Sequence, residues 1–309
     1  MYSNLNICII GNGIHSKRIQ NILNTKKIKF LIYKPKSKIN YAKKNLNELK
    51  KFNTFFITSP DNTHYHYINK LYRFGYIFCE KPPCTNKKQL VLLKKIKSRK
   101  IFYNFNYRFS KFYKILKNKN KYNLGKLLYG TIINGHALGL KKDYKKNWRS
   151  KQKISKKGIL EVVSIHYLDI INCIFKIKNI EYLKLNNNSK YGNSYDNAHT
   201  TLTTKENSVI SIFNSWTSEL IQKIIFVFKN GSIEKNENFI IIKGPALNLD
   251  KNNFTKSPKI KEKINLNSKN LNDNSLLKSV EYFLGISSKR KSFKKEEITT
   301  SLKSNYFVI

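Results

Sequence analysis

The run Leu5-Asn6-Ile7-Cys8-Ile9-Ile10, followed at once by Gly11-Asn12-Gly13-Ile14-His15-Ser16, restricts the fold more than any other part of the chain. An apolar run of that length reads as a strand buried on both faces, which is the habit of parallel sheets. Ile19, Ile22 and Leu23 then repeat at helical spacing. Strand, glycine turn and helix together are the context that a dinucleotide-binding turn requires. In that reading Gly11 permits the tight turn and Gly13 lets the backbone approach a pyrophosphate. Ser16 stands in for a third glycine, and the first helical amides face the anion. An ordinary strand-to-helix turn fits the same residues, so the rest of the chain has to decide.

Alternation of strand and helix continues for about a domain's length. Residues 28–33 read as a second strand, ending at Lys34-Pro35-Lys36-Ser37 where an NAD enzyme carries an acidic residue for the ribose 2′-hydroxyl. A cationic, hydroxyl-bearing loop suits a 2′-phosphate, so NADP is expected to be at least accepted. Residues 52–58 form the next apolar run, followed by Ser59-Pro60-Asp61-Asn62-Thr63-His64, a helix over about 65–74 capped by Thr63 or Asn62, and Gly75. The strand at 76–78 delivers Cys79-Glu80-Lys81-Pro82-Pro83. A helix with Leu90, Leu93 and Ile96 on one face and a strand at 101–105 complete the series. The expected architecture is α/β, a doubly wound parallel Rossmann sheet with helices on both faces. Ligands bind beyond the carboxyl ends of such strands, where Gly11, Pro60, His64 and Lys81 all lie.

Lys81 sits where a buried strand ends, beside a carboxylate and ahead of two prolines. Partial desolvation there can lower a lysine's pKa towards proton-transfer range, which makes Lys81 a candidate acid/base. In a chain with 60 Lys and Arg residues, a solvated surface charge is the plainer alternative.

The formal charge of +42 raises the question of nucleic acid or an acidic surface. Arginine, the residue of bidentate phosphate and base recognition, occurs only at Arg18, Arg73, Arg99, Arg108, Arg149 and Arg290. Lysine is spread along the whole chain beside abundant Asn, Ile, Tyr and Phe, the pattern of an A/T-rich coding sequence. No specific nucleic-acid partner is expected. Cys8, Cys79, Cys84 and Cys173 have no metal-site or disulfide spacing. No apolar run approaches the ~18 residues that span a bilayer, and no leader is evident. A soluble, cytoplasmic protein without a metal or membrane partner is the expectation.

The polar bridge at 117–123 marks the expected boundary, giving a nucleotide-binding domain over 1–117 and a second domain over 118–309. Strand-like segments at 127–134, 180–185, 197–204, 208–216, 221–228 and 239–242 predict an open, mainly antiparallel sheet. One helix, about 159–175, interrupts them and carries His166 and Asp169. Two amphipathic helices close the chain, and the Lys/Asn-rich stretch 251–274 reads as a surface loop.

Taken in order, Gly11-x-Gly13, Ser59-Pro60-x3-His64, Gly75-x4-Glu80-Lys81-Pro82, Tyr107-Arg108-Phe109, Leu124-Gly125, Asn147-Trp148-Arg149 and Gly158-x-Leu160-x5-His166-x2-Asp169 resemble the Gfo/Idh/MocA oxidoreductases over nearly the whole chain. The resemblance implies a Rossmann domain followed by an α/β substrate domain with an open sheet. It implies hydride transfer between a sugar, nucleotide sugar or cyclitol carbon and the nicotinamide of NAD or NADP. It carries proton transfer over to Lys81 and substrate orientation or proton relay to His166. Cofactor contacts are implied at Gly11, Asn12, Gly13, Ile14, His15, Lys34, Ser59, Pro60, His64, Glu80 and Lys81. Substrate contacts are implied at Arg108, Trp148, Arg149, Glu161 and Asp169, and a homodimer or homotetramer through the open sheet. The charge also suits an anionic sugar, as in surface-polysaccharide metabolism.

One position departs from the family pattern. Four residues before the histidine, where the family has aspartate, stands Val162, with Glu161 adjacent. On a regular helix the two point about 100° apart. Either local geometry brings Glu161 into the site, or Lys81 and His166 work without that carboxylate, or the reaction is changed or lost. The last case would leave a cofactor-binding sensor or assembly partner.

Overall fold

The structure, a computed structural model, describes residues 2–34, 47–266 and 274–309, and its contacts divide them into two compact units. In the first, β1 (Ile7–Ile10), β2 (Phe30–Tyr33), β3 (Thr54–Ile57), β4 (Tyr76–Glu80) and β5 (Ile101–Asn104) pair in parallel in the order β2-β1-β3-β4-β5. Every residue of β1, β3, β4 and β5 is buried, as unbroken apolar runs require, while β2 lies at the edge. Crossovers run through α1 (Ile14–Thr25), α2 (His64–Leu71) and α3 (Lys87–Lys95). Because β2 and β3 flank β1 on opposite sides, the strand order reverses there. That switch point opens the crevice in which open α/β sheets bind ligands.

The first unit is not contiguous in sequence. It comprises residues 1–109 together with 274–307, so the closing helices α6 (Ser275–Ser288) and α7 (Lys295–Tyr306) belong to it. This differs from the expected division at 117/118, and the reason is apolar. Val280, Phe283, Leu284 and Phe293 join one core with Ile9, Phe56, Phe78 and Phe102. The Phe283 ring lies 5.1 Å from Phe56 and 5.4 Å from Phe78, and stacks on Phe293 at 5.9 Å.

The second unit covers residues 110–273. Its strands are β6 (Leu127–Gly135), β7 (Ile177–Asn186), β8 (Asn197–Thr204), β9 (Val209–Ser215), β10 (Ile221–Phe228), β11 (Gly231–Lys235), β12 (Phe239–Lys243) and β13 (Ile260–Asn265). They form an 8-stranded sheet in the order β13-β12-β11-β10-β6-β9-β8-β7, antiparallel except for the β6–β9 pair. On one face, Phe112 of α4 (Lys111–Lys117) stacks on Phe226 at 6.1 Å, and Phe175, capping α5 (Ile165–Ile174), lies 5.4 Å from the same ring. The other face is open: Val227, Tyr129 and Val209 form one cross-strand row, and all three are exposed.

Two strands were not expected. β11 carries a serine, a glutamate and a lysine, and β13 falls inside the stretch read as a surface loop. β13 is the sheet's edge, where a strand of isoleucine, lysine and glutamate is tolerated because one side needs no partner. Residues 267–273 of that stretch lie outside the described residues. Among the described residues no helix is long and apolar enough to cross a membrane.

Candidate functional site

The switch-point crevice is built from the ends of β1, β3, β4 and β5. Gly11 has φ +109°, a conformation that side chains other than glycine's rarely adopt, and a Cβ there would lie 2.9 Å from the Ser59 amide nitrogen. Gly11 is therefore wedged against the neighbouring strand end. Gly13 is the opposite case: a Cβ built on it meets no atom within 4 Å. It faces open space at the start of α1, and no side chain caps that terminus. Ser16 fills the place of the third glycine, buried and donating to the Gly11 carbonyl at 2.9 Å. Asn12 and His15 line the turn, and Ile14 is 72% exposed at its mouth.

His15 reaches across the crevice. Its Nε2 lies 3.2 Å from Oε2 of Glu80, while the Asn104 side chain donates to Oε1 at 2.8 Å. Burial pushes the Glu80 carboxyl up, but His15, Asn104 and the charge of Lys81 outweigh it and leave the pKa below its usual value. Glu80 is accordingly an anion held at the crevice floor. His15 Nδ1 and Asn104 Oδ1 are buried without a hydrogen-bond partner among the described residues. Two orphaned polar atoms, a glycine facing open space and an uncapped helix N-terminus form a cradle that fits a dinucleotide. Asn104 was not singled out from the sequence. Its signal was a polar residue closing the apolar run Ile101-Phe102-Tyr103, in register with Glu80.

Ser59 is buried and Pro60 exposed at the end of β3, and Lys81 follows β4 directly, half-buried. Lys34 is exposed just after β2, and Pro35, Lys36 and Ser37 lie outside the described residues. His64 is fully buried, and its ring nitrogens lie 2.8 Å from the Pro82 and Ser59 carbonyl oxygens, so that the ring bridges two loops. Thr63 does not cap α2 through its side chain; its hydroxyl donates to the Pro60 carbonyl at 2.7 Å. Arg108 packs its guanidinium over the Phe105 ring and donates to the Glu297 carbonyl at 3.4 Å.

The second unit holds the other candidates on one helix and its approach. Leu160–Ser164 is a π-helical turn, and α5 continues from it with His166 and Asp169, both buried. Bonding from i to i+5 puts an extra residue into that turn, so the 100° separation of Glu161 and Val162 on a regular helix does not apply. Ser155 donates to Glu161 Oε1 at 2.8 Å, and Val162 is 8% exposed. Arg149 stacks on Trp148 at 4.6 Å, and Trp148 is partly exposed. Burial, then Arg149 and Lys141, push the His136 imidazole below its usual pKa. Among the described residues no group of three His, Cys, Asp or Glu side chains is placed to hold a metal ion.

No curated protein matches the sequence. Solved structures share the fold throughout. An oxidoreductase from Thermotoga maritima is 17% identical with a TM-score of 0.76, covering 98% of this chain and 94% of that one. A protein described as a putative NADPH-dependent oxidoreductase from Desulfitobacterium hafniense is 14% identical with a TM-score of 0.76, covering 100% and 94%. A levoglucosan dehydrogenase in complex with NADH is 11% identical with a TM-score of 0.77, covering 98% and 94%. At these identities the likeness is one of fold. The profile described as "Oxidoreductase family, C-terminal alpha/beta domain" matches residues 123–291, more than half of the sequence. With that match covering the second unit from residue 123 and running on through α6, and the Rossmann sheet preceding it, the chain belongs to the Gfo/Idh/MocA family of oxidoreductases.

Proposed function

We propose that this protein is an NAD(P)-dependent oxidoreductase acting on a carbinol carbon of a sugar, nucleotide sugar or cyclitol. The observation that carries this reading is the shared crevice edge. A glycine turn fit for a pyrophosphate and a strand-end lysine beside a buried carboxylate stand over one switch point. Nicotinamide, when bound, supplies the hydride acceptor or donor. Gly11, Asn12, Gly13, Ile14 and His15 hold the dinucleotide with Ser59 and Pro60, and Glu80 and His15 set the polarity of the floor. Lys81 takes or returns the hydroxyl proton of the substrate, and His166 orients that hydroxyl or relays the proton. Arg108, Trp148, Arg149, Glu161 and Asp169 are assigned to the substrate. The test is absorbance of reduced nicotinamide with a panel of inositols, sugars and nucleotide sugars. Turnover on one member supports the reading, and bound cofactor without turnover on any favours the alternative.

That alternative is a cofactor-binding member with lost or altered chemistry, and Val162 favours it. An apolar, buried side chain stands where the family motif has a carboxylate.

Lys34 at the end of β2 supports use of NADP alongside NAD. The ratio of kcat/KM for the two cofactors checks this: comparable values are expected, and a 100-fold preference for NAD would remove the idea. The charge of +42 supports an anionic sugar, consistent with surface-polysaccharide metabolism, and four free cysteines suit a reducing cytoplasm. The exposed row of Val227, Tyr129 and Val209 supports a homodimer or homotetramer through the open sheet. Light scattering should report an oligomer that Tyr129→Glu converts to monomer, because a charge at the row's centre would be desolvated on both copies.

A further inference from the structure

His64 is the hub of the loops around the crevice. It starts α2, and its side chain has no solvent exposure. Nδ1 lies 2.8 Å from the Pro82 carbonyl oxygen, and Nε2 lies 2.8 Å from the Ser59 carbonyl oxygen. Both distances are hydrogen-bond distances, and both partners are backbone carbonyls, which accept and never donate. A neutral imidazole carries a hydrogen on one nitrogen only. Its other nitrogen would then present a lone pair to a carbonyl lone pair, a repulsive contact at a side chain with no solvent exposure. Only the imidazolium, with a hydrogen on each nitrogen, makes both contacts attractive. Charge-assisted bonds of that kind are the strong ones, and two of them act against the cost of burying the charge.

The two carbonyls are well placed for a mechanical role. Pro82 is the residue after Lys81. Ser59 is the residue against which Gly11 is wedged, and Thr58 before it is tied to β1 by its amide and its hydroxyl, both donating to the Ile10 carbonyl at 2.9 and 3.0 Å. One ring thus joins the ends of β3 and β4 and, through Ser59, the glycine turn.

We propose that His64 is held as a buried imidazolium that clamps the Lys81 loop to the cofactor turn, a positioning residue rather than a catalytic one. The positioning half rests on the role assigned to Lys81 above; the protonation half does not.

The test of protonation uses the wild-type protein without cofactor. Nitrogen-15 spectra of the imidazole rings at neutral pH, where ordinary histidine is mostly neutral, should show both His64 nitrogens protonated. The chain has only 6 histidines, so the spectrum is sparse. His66 is an internal reference. Burial and the charge of Lys70 push its pKa down, so it should show one bare nitrogen in the same spectrum. A bare nitrogen on His64 overturns the proposal.

The test of positioning is His64→Gln, whose amide donates to one carbonyl and turns its own oxygen on the other. We expect kcat to fall about 100-fold, as for an ångström of misplacement, with a much smaller loss of cofactor affinity, because the bonds from Thr58 to Ile10 still hold the cofactor turn. Unchanged kcat, or an equal loss in kcat and in cofactor affinity, overturns the positioning role. Should the variant fail to fold, the wild-type spectrum still decides whether the clamp exists. An imidazolium signature in a protein that turns over no substrate would leave the clamp standing and remove the proposed reaction.

Discussion

Replacing Lys81 with alanine should lower kcat by about 10³-fold or more while leaving cofactor Kd within a few-fold of the wild type. General acid–base transfer by a positioned side chain contributes roughly 10²–10⁴-fold, and Lys81 is the group assigned to it. The backbone that shapes the crevice does not depend on the side chain, since β4 is held by its pairing with β3 and β5 and by apolar burial. Lys81→Arg is the informative companion. It keeps the charge but a guanidinium does not give up its proton, so it should be as inactive as alanine if the proton is the point. Turnover retained by either variant, measured on whichever substrate the wild type accepts, would show that another group moves the proton.

Gly158→Ala should be the most damaging single-methyl change in the second unit. Gly158 has φ +54°, and a Cβ there would lie 1.8 Å from the Tyr195 carbonyl oxygen and 2.7 Å from its carbon. Both partners are backbone, so the added methyl cannot be relieved by a side-chain rotation. The site is also the start of the turn that delivers His166, with the Ile159 amide bonded to that same Tyr195 carbonyl at 2.9 Å. Overpacking of this kind costs about 1–3 kcal/mol, and the unfavourable backbone conformation adds about 1 kcal/mol or more. Urea denaturation followed by the fluorescence of Trp148 and Trp216, both in the second unit, would report it. An unchanged midpoint would mean that the helix entry is more pliant than its contacts indicate.

How much of this was legible in the sequence depended on whether a local pattern had one outcome. Ile7-Cys8-Ile9-Ile10 before Gly11 can hardly be other than a buried strand into a tight turn, and the five parallel strands follow from runs of the same kind. Lys81 at a strand end was legible because Tyr76-Ile77-Phe78 is apolar and Pro82-Pro83 cannot continue it. The π turn was not, since Leu160 to Ser164 has the composition of an ordinary helix and only tertiary contacts choose the wider bonding. The bridging contacts of His64 were not legible for a related reason. Its position in the motif is a matter of sequence, but which groups its ring bonds depends on where Ser59 and Pro82 lie in space. The domain boundary failed because nothing local to residues 274–307 says which sheet their apolar face will cover.

That last feature bears on how the protein is made. During synthesis the first 109 residues emerge well before Phe283 and Phe293 exist, so Phe56, Phe78 and Phe102 have no lid for their side of the sheet. The intervening 110–273 has its own sheet and can fold in the meantime as a contiguous unit. Closing the first core therefore waits on contacts spanning more than 200 positions, such as Asn305 to Cys84 at a separation of 221. Loop closure over that span is slow to nucleate, and it leaves an aromatic surface exposed on the ribosome. The unit whose strands come first in the sequence is on this account the last to be completed.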